Sequence, residues 1–422
     1  AESRPDGAAP DKTGQMHKTA VEWLNSGRAE EAWQTFLKIL ELDPHYRPTV
    51  LECVHVMRSM NEHEGIVNLC ARYMKHDGND TEIIQRYRES SRILNQTDEK
   101  GRAGKRKELC HINLRRNRCL PDSDHLAACM EWLMRAQDVY SGGGMAAMYF
   151  MDKDKWDVDY PETTGYIIPT FLCYHKLKGD ARFLERAVAM GDWEVNIQSP
   201  EGGAGEPVGV YGLRPRIFNT SQVILGWVAL YHETGQDKYL QAAKKAADWI
   251  TASQDTDGKW TRNTYSGPKA YMSRVAWALL ELHDVTGEKQ YSKSAGRSIE
   301  WVLSRARENG WFENNSLSDP KRPWTHLIGY VLVGLMEICR FEETRIYRER
   351  IVPTLYNAAR EIADFFLLLK ERFKDGQFVT LPGTFDSNWQ SSDGWSCITG
   401  NAQVEFFLRR MFRYTKDPVL KS

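Results

Sequence analysis

From Gln222 onward, apolar residues fall into two successive helical stripes. Val223, Gly226, Leu230 and Tyr231 recur at three- and four-residue spacings, and after Gly235 so do Tyr239, Ala242, Ala246 and Trp249. That spacing predicts two amphipathic helices joined by a tight turn. The unit reads QVILGWVALYHETGQDKYLQAAKKAADWITASQDTDGKW and ends in a Gly-containing polar loop. Its parts return as FLCYHKLKGDARFLERAVAMGDWEVNIQSPEGG from Phe171 and as ALLELHDVTGEKQYSKSAGRSIEWVLSRARENGW from Ala278. The turns at Gly179, Gly235 and Gly287 lie about 50 to 56 residues apart, a period of stacked repeat units. The pattern predicts outer helices near 122–138, 181–198, 237–253, 289–306 and 348–372, with inner partners near 163–177, 219–233, 270–285, 325–340 and 397–413. Five hairpins are visible. The ring is then either short or closed by helices nearer the N-terminus.

Before these repeats, residues 16–44 carry Ala20, Leu24, Gly27, Ala32, Phe36 and Leu40 where two antiparallel helices would touch. With Glu31-Ala32 opening the second helix and Asp43-Pro44 closing it, the segment resembles a tetratricopeptide repeat. A degenerate copy follows to about residue 76, and a third helix is expected over 80–94. The resemblance implies a groove for a peptide or partner protein; the alternative is a cap on the larger array. The first 15 residues read as a flexible arm. Residues 95–108 (from NQTDEKGRAGKRK) read as a linker, leaving 109–422 to the repeats. Of the 14 tryptophans, only Trp23 and Trp33 precede that linker.

At 422 residues and 41% AVILMFWYC the chain can bury two cores. Its 56 Lys and Arg against 57 Asp and Glu give a net charge of -1, without the broad positive field of a nucleic-acid or anionic-lipid binder. No apolar run reaches the roughly 20 residues of a membrane span. Most of the eight cysteines sit in apolar helical patterns and read as buried thiols, favouring a soluble cytoplasmic protein. The start at Ala1 is compatible with a processed leader, so export stays open. Cys110 and Cys119, beside His111, lack a second ligand pair, and no metal is expected. No P-loop, dinucleotide fingerprint, HExxH or GxSxG is present, and no cofactor is expected.

The candidate chemistry lies where inner helices open: YPETTGY (160–166), GLRPRIFNTSQ (212–222), YMSRVAW (271–277), RPWTHLIGY (322–330) and DGWSCITGNAQ (393–403). Thr163, Thr220, Ser273, Thr325 and Ser396 suffice as helix caps, so the other polar and aromatic groups need another reason. Arg214, Arg216, Asn219, Arg274, Trp324, His326, Tyr330 and Asn401 would face one mouth, where flat rings grip pyranoses and planar polar groups bind hydroxyls in pairs. Trp324 and Trp395 are the expected sugar platforms; Trp193, Trp249 and Trp301 share one repeat position and are expected in the core.

On the YPETTGY, RPWTHLIGY and WSCITGNAQ segments and the repeated TGD-to-Gln-Asp-Gly unit, residues 120–415 resemble (α/α)-toroid carbohydrate-active proteins: six-hairpin glycosidases, toroid polysaccharide lyases and sugar epimerases, especially those of bacterial polysaccharide assembly. The resemblance implies an all-α protein, an (α/α) toroid behind a short tetratricopeptide-like domain. The Gln254 to Trp260 element is also similar to repeats of squalene-type cyclases, whose DxDD-type segment is missing here.

Proton abstraction beside a uronate carboxylate, as in a lyase or epimerase, needs cations or amides for that group and a His or Tyr for the proton. Arg216 and Asn219, with His326 and Tyr330 four residues apart on one helix face, meet this, and Tyr166 and Tyr271 are alternates. Glu162, in a first helical turn, reads as a general acid or substrate anchor, with Asp157 or Asp159 as partner. A glycoside hydrolase would instead pair carboxylates from Asp157, Glu162, Glu206, Asp386 and Asp393. A third reading is a non-catalytic assembly scaffold that holds glycan in the toroid and a partner protein at the N-terminal repeats.

Overall fold

The computed structural model describes residues 12–26, 28–59, 63–74, 77, 80, 82–87, 89–90, 121–151, 153–205, 215–372 and 379–421. The 95–108 linker, the Cys110, His111 and Cys119 cluster, Glu206 and Arg214 lie outside them. Among the described residues the chain is helical apart from a two-stranded ribbon, Tyr149–Phe150 with Lys155–Trp156. No described helix is long and apolar enough to cross a membrane.

The chain divides into two compact units. In the first, helices α1 (Lys12–Asn25), α2 (Ala29–Leu42), α3 (Arg47–Ser59) and α4 (His63–Met74) pack in sequence order. Ala20, Ala32, Phe36, Ile39, Val50, Cys53, Ile66 and Cys70 form their core. Helix α1 already begins at Lys12, so residues 12–15 are not part of an arm.

The division falls within α5 (Asp122–Gln137). The second unit holds hairpins α6/α7 (Pro161–Lys178, Ala181–Ile197), α8/α9 (Ile217–Thr234, Asp237–Ala252), α10/α11 (Ser273–Thr286, Lys289–Leu303) and α12/α13 (Thr325–Ile338, Arg348–Arg372), and then α14 (Ile398–Thr415). Each inner helix packs on the next in the order α6, α8, α10, α12, α14. Glycine makes the first contact possible: a Cβ on Gly165 would lie 2.6 Å from the Val223 Cα, and one on Gly226 2.5 Å from the Gly165 carbonyl oxygen. The expected helices are all present, with ends displaced by one to three residues.

The repeated residues have local jobs. At the hairpin turn the threonine hydroxyl donates back to a helical carbonyl and accepts the amide two residues on, as at Thr234, Thr286 and Thr415. The residue between is left-handed, Gly235 and Gly287 in the first two turns and Lys416 in the third. A glutamine at the end of three of the outer helices braces the stack. Gln137 Nε2 donates to the Gly143 and Arg186 carbonyls, Gln198 Nε2 to Gly202 and Ala242, and Gln254 Nε2 to Gly258 and Ser294, at 2.9–3.0 Å. One side chain thus ties its own polar loop to the next outer helix.

Two core expectations need correction. Trp193 is buried, but Trp249 and Trp301 are only half-buried at their outer-helix positions. Of the six described cysteines, all free thiols, Cys53 and Cys70 are buried, whereas Cys129 and Cys173 are exposed and Cys339 and Cys397 lie between.

The residue after the repeat tryptophan is Leu133, Ile250 or Val302 in three outer helices and Glu194 in the fourth. Glu194 is 1% exposed and neither carboxyl oxygen has a hydrogen-bond partner among the described residues. Burial, and secondarily the nearby Asp159, holds its carboxyl well above the usual range.

Replacing Gln254 with Ala removes one donor group shared by two carbonyls and is expected to cost about 1–3 kcal/mol, seen as a lower urea midpoint at constant m-value. For Glu194 the folded chain keeps a proton that the unfolded chain loses near pH 4.5. Stability is therefore unaffected below that pH and falls above it, by up to about 1.4 kcal/mol per pH unit until Glu194 itself ionises. Glu194→Ile should raise stability at pH 8 and flatten that slope in denaturation curves taken from pH 4 to 9.

Candidate active site

The inner-helix N-termini open without side-chain caps. Tyr160, Arg216, Met272, Trp324 and Cys397 occupy the capping positions of α6, α8, α10, α12 and α14, and none bonds a helical amide through its side chain. The expected cappers do something else: Thr163 and Thr220 donate to the Tyr160 and Arg216 carbonyls, Thr325 to Pro382 and Ser396 to Leu381, and Ser273 is buried beside α12. These hydroxyls act on carbonyls, leaving the first-turn amides of neighbouring inner helices, and the positive ends of their dipoles, at the same end of the array.

Glu162 stands at the head of α6 and accepts the Tyr160 hydroxyl at 3.1 Å. Tyr160 is also within short hydrogen-bond distance of the Tyr265 hydroxyl. Asn219, fully buried at the start of α8, donates to both phenols at 3.0 and 3.1 Å and accepts from Tyr265 at 3.2 Å. Arg216 lies 4.9 Å over the Tyr265 ring and donates to the Thr264 carbonyl at 3.0 Å. Tyr265 and Asn219 therefore hold the phenol that holds Glu162. Burial pushes the Glu162 carboxyl up to about 7, against the Tyr160 hydrogen bond and the Arg274 charge, which pull it down.

Arg274, in the first turn of α10, donates from Nε and Nη2 to the Gln222 side-chain Oε1 at 2.9 and 2.6 Å. Its guanidinium lies 5.1 Å from the Trp277 ring and 5.0 Å from the Tyr330 ring. Among the described residues no carboxylate forms an ion pair with it. Burial lowers its affinity for its proton, while the nearby phenols and Glu162 support the charge. Burial is also the main reason that the Tyr166, Tyr271 and Tyr330 phenols are held above their ordinary range, and the Glu162 charge adds to it in all three.

Beyond Tyr330 the wall continues as an aromatic chain. Phe218 meets Tyr271 and Tyr330 at 5.1 and 5.2 Å between ring centres, His326 meets Tyr330 edge-on at 5.6 Å, and Trp324 meets His326 at 5.5 Å and Trp395 at 6.4 Å. Trp324 and Trp395 remain 44% and 42% exposed, enough open ring face to stack on a flat ligand. Burial lowers the His326 imidazole below its ordinary range, so it is neutral at neutral pH.

The structure thus brings Glu162, Tyr166, Asn219, Tyr271, Arg274, His326, Tyr330, Trp324 and Trp395 into one connected surface, with Arg216 at its edge. Three expectations change. Asp157 belongs to the segment after the ribbon, its amide bonded to Met148, and among the described residues no hydrogen bond or ion pair joins it to Glu162. Asn401 is spent on its own loop: it accepts from the Leu381 amide and donates to the carbonyls of Leu381 and Cys397 and to Ser396. Asp386 accepts the Asn388 and Gln390 amides and Asp393 accepts Thr384 and Arg322, so both are loop staples. Tyr265, Gln222 and Trp277 were not singled out from the sequence; Gln222 and Trp277 lie one turn inside motifs that were. No group of three or more potential metal ligands occurs among the described residues.

With this geometry in view, comparisons with known proteins define the class. Residues 205–336 match the family described as squalene-hopene cyclase C-terminal domain, a match to less than half of the chain that covers the repeated hairpins. No curated protein sequence gives a match. Among solved structures, similarity is found to a sugar epimerase from a ruminal bacterium, with TM-score 0.53 and 13% identity over 69% of this chain and 80% of that one. Cellobiose 2-epimerase from Bacillus thermoamylovorans gives 0.51 and 12% over 70% and 83%, and a family 105 glycoside hydrolase from C. acetobutylicum 0.50 and 12% over 70% and 80%. The repeat unit is an α/α toroid of the kind found in carbohydrate-active proteins.

Both neighbours of Glu162 pull its titration downward, so removing either should push it up. A carboxyl NMR titration is expected to place Glu162 near pH 7, and Tyr160→Phe or Arg274→Met should each move that midpoint up by about one unit.

Proposed function

We propose that the protein is a carbohydrate-active enzyme that takes a proton from the carbon next to a uronate carboxylate in an acidic polysaccharide or oligosaccharide, by lyase or epimerase chemistry. The observation that carries this is Arg274: a cation set in an aromatic wall, bonded to a neutral amide, with no carboxylate partner among the described residues. A half-buried charge of this kind is costly unless an anion completes it, and a uronate carboxylate, with uncapped helix N-termini at the same mouth, supplies one of the right size and geometry.

In this reading neutral His326 takes the proton from C5. The electron pair moves into the carboxylate, where Arg274 stabilises the enolate charge. Protonated Glu162 gives its proton either to the departing 4-oxygen, which completes elimination, or back to C5 on the other face, which completes epimerisation. Tyr330, against both His326 and the Arg274 guanidinium, orients the pair, and Trp324 and Trp395 hold neighbouring sugar rings. The similar fold of two sugar epimerases supports the class. Among the described residues the cluster contains one carboxylate with a raised affinity for its proton, which favours this chemistry over a paired-carboxylate hydrolase.

Because the base must be neutral and the acid protonated, kcat/KM should rise through the low His326 midpoint and fall above about pH 7, where Glu162 ionises. Turnover of uronate polysaccharides in deuterated water would be followed by absorbance of unsaturated ends and by NMR at C5. His326→Ala is expected to lower kcat by about 10²–10⁴, and Glu162→Gln to remove the alkaline limb with the residual activity. New reducing ends with neither unsaturation nor deuterium would overturn the proposal.

A further inference from the structure

Cys397 occupies the capping position of the 18-residue helix α14, with its Sγ 3.7 Å from His326 Nδ1. Several features hold it there. The Asn401 amide and Asn401 Nδ2 both donate to the Cys397 carbonyl at 2.9 Å, and Asn401 in turn grips both backbone groups of Leu381. Gly400, three residues on, lets α14 approach α12 so closely that a Cβ there would lie 2.7 Å from the His326 amide nitrogen. The two helix starts that carry sulfur and imidazole are therefore locked side by side.

Cys397 is partly exposed, and its near neighbours along the chain Trp395 and Ile398 are 42% and 69% exposed. It makes no capping bond of its own, so a thiolate there would face the free first-turn amides and the positive end of the α14 dipole. The other described cysteines lack this combination. Cys53, Cys70 and Cys339 are set in apolar surroundings, where burial disfavours the thiolate, and Cys129 and Cys173 lie within helices α5 and α6 rather than at a helix start.

We infer that Cys397 and His326 form a nucleophilic thiol–imidazole pair, and that Cys397 is a covalent modification site of this protein for soft electrophiles and small disulfides. His326 accepts the thiol proton at Nδ1 as the sulfur attacks. With an alkylating agent the S–C bond forms and the halide leaves. With a disulfide a new S–S bond forms, and the departing thiolate takes up the proton held by His326. This assignment does not depend on the proposed uronate chemistry. An adduct on Cys397 would nevertheless hold the imidazole and obstruct the face of Trp395.

The test is thiol labelling of the full chain with iodoacetamide and, separately, with 4,4′-dithiodipyridine, the rate at each cysteine being followed by peptide mass spectrometry. Cys397 is expected to react about tenfold faster at pH 7 than exposed Cys129 and Cys173, and to lose that advantage in His326→Ala and His326→Gln. The comparison among these three cysteines is made within the wild-type chain and does not depend on whether the variants fold. Rates at Cys397 no greater than at the exposed cysteines would overturn the inference. So would an advantage that survives in folded His326 variants. A wild-type chain that shows the expected thiol rates but no uronate turnover would count against the proposed function alone.

Discussion

The glutamine that closes three of the outer helices is the constraint on which the repeat stack rests. An amide nitrogen has two hydrogens, and in Gln137, Gln198 and Gln254 one goes to the polar loop of the same repeat and the other to a carbonyl of the next outer helix. Hydrophobic contact between helices is non-directional and would tolerate sliding or rotation. Two convergent hydrogen bonds from one planar group do not. The glycine in each loop lets it come close enough: a Cβ on Gly202 would lie 2.3 Å from the Lys245 carbonyl oxygen and one on Gly258 2.2 Å from that of Arg297. The braced loop also meets the next inner helix, the Met145 amide donating to the Thr164 hydroxyl and the Ala204 amide to that of Thr220.

Fixing the beginnings has an electrostatic consequence. Inner helices that touch through Gly165 and Gly226, or Gly329 and Gly400, bring their first turns near one another, and threonines that bond carbonyls leave the amides uncapped. Positive helix ends, the Arg274 guanidinium and a proton retained by Glu162 all favour an anion. Each would be modest alone, but they act on the same small volume from neighbouring helices. The aromatic rings between them keep water out and so weaken screening.

Much of this was legible in the sequence, and for identifiable reasons. Helix positions follow from the spacing of residues such as Val223, Leu230, Tyr239 and Ala246, because burial of one face is the strongest local signal a helix carries. The mouth was legible as a surplus of polar and aromatic residues at inner-helix starts, and Glu162, Asn219, Arg274, His326 and Tyr330 do lie in the first two turns of those helices. Other roles were not. Thr163 and Thr325 look like caps because a hydroxyl can either accept an amide or donate to a carbonyl, and composition does not distinguish the two. Asn401 carries the same motif signal as Asn219, yet it serves Leu381 and Cys397. Tyr265 reaches Tyr160 across 105 residues from a loop without periodicity, so nothing local marked it. Asp157 sat close to Glu162 along the chain, but the ribbon directs it elsewhere.

Glu162 and Glu194 separate structure from function in the same terms. Burial raises both carboxyls, so a raised affinity for the proton does not by itself mark a site. Glu194 replaces an aliphatic residue of the repeat, has no hydrogen-bond partner among the described residues and has Asp159, a like charge, as its main electrostatic neighbour. Its proton has no route to a ligand through the bonds described. Glu162 stands at a helix start, is held by Tyr160, and acts electrically on Arg274, Tyr166, Tyr271 and Tyr330. A change in its charge is felt by Arg274 and these three phenols, and a ligand bound at Arg274 would change its charge in return. That reciprocity, more than the size of the shift, is what distinguishes Glu162 from Glu194.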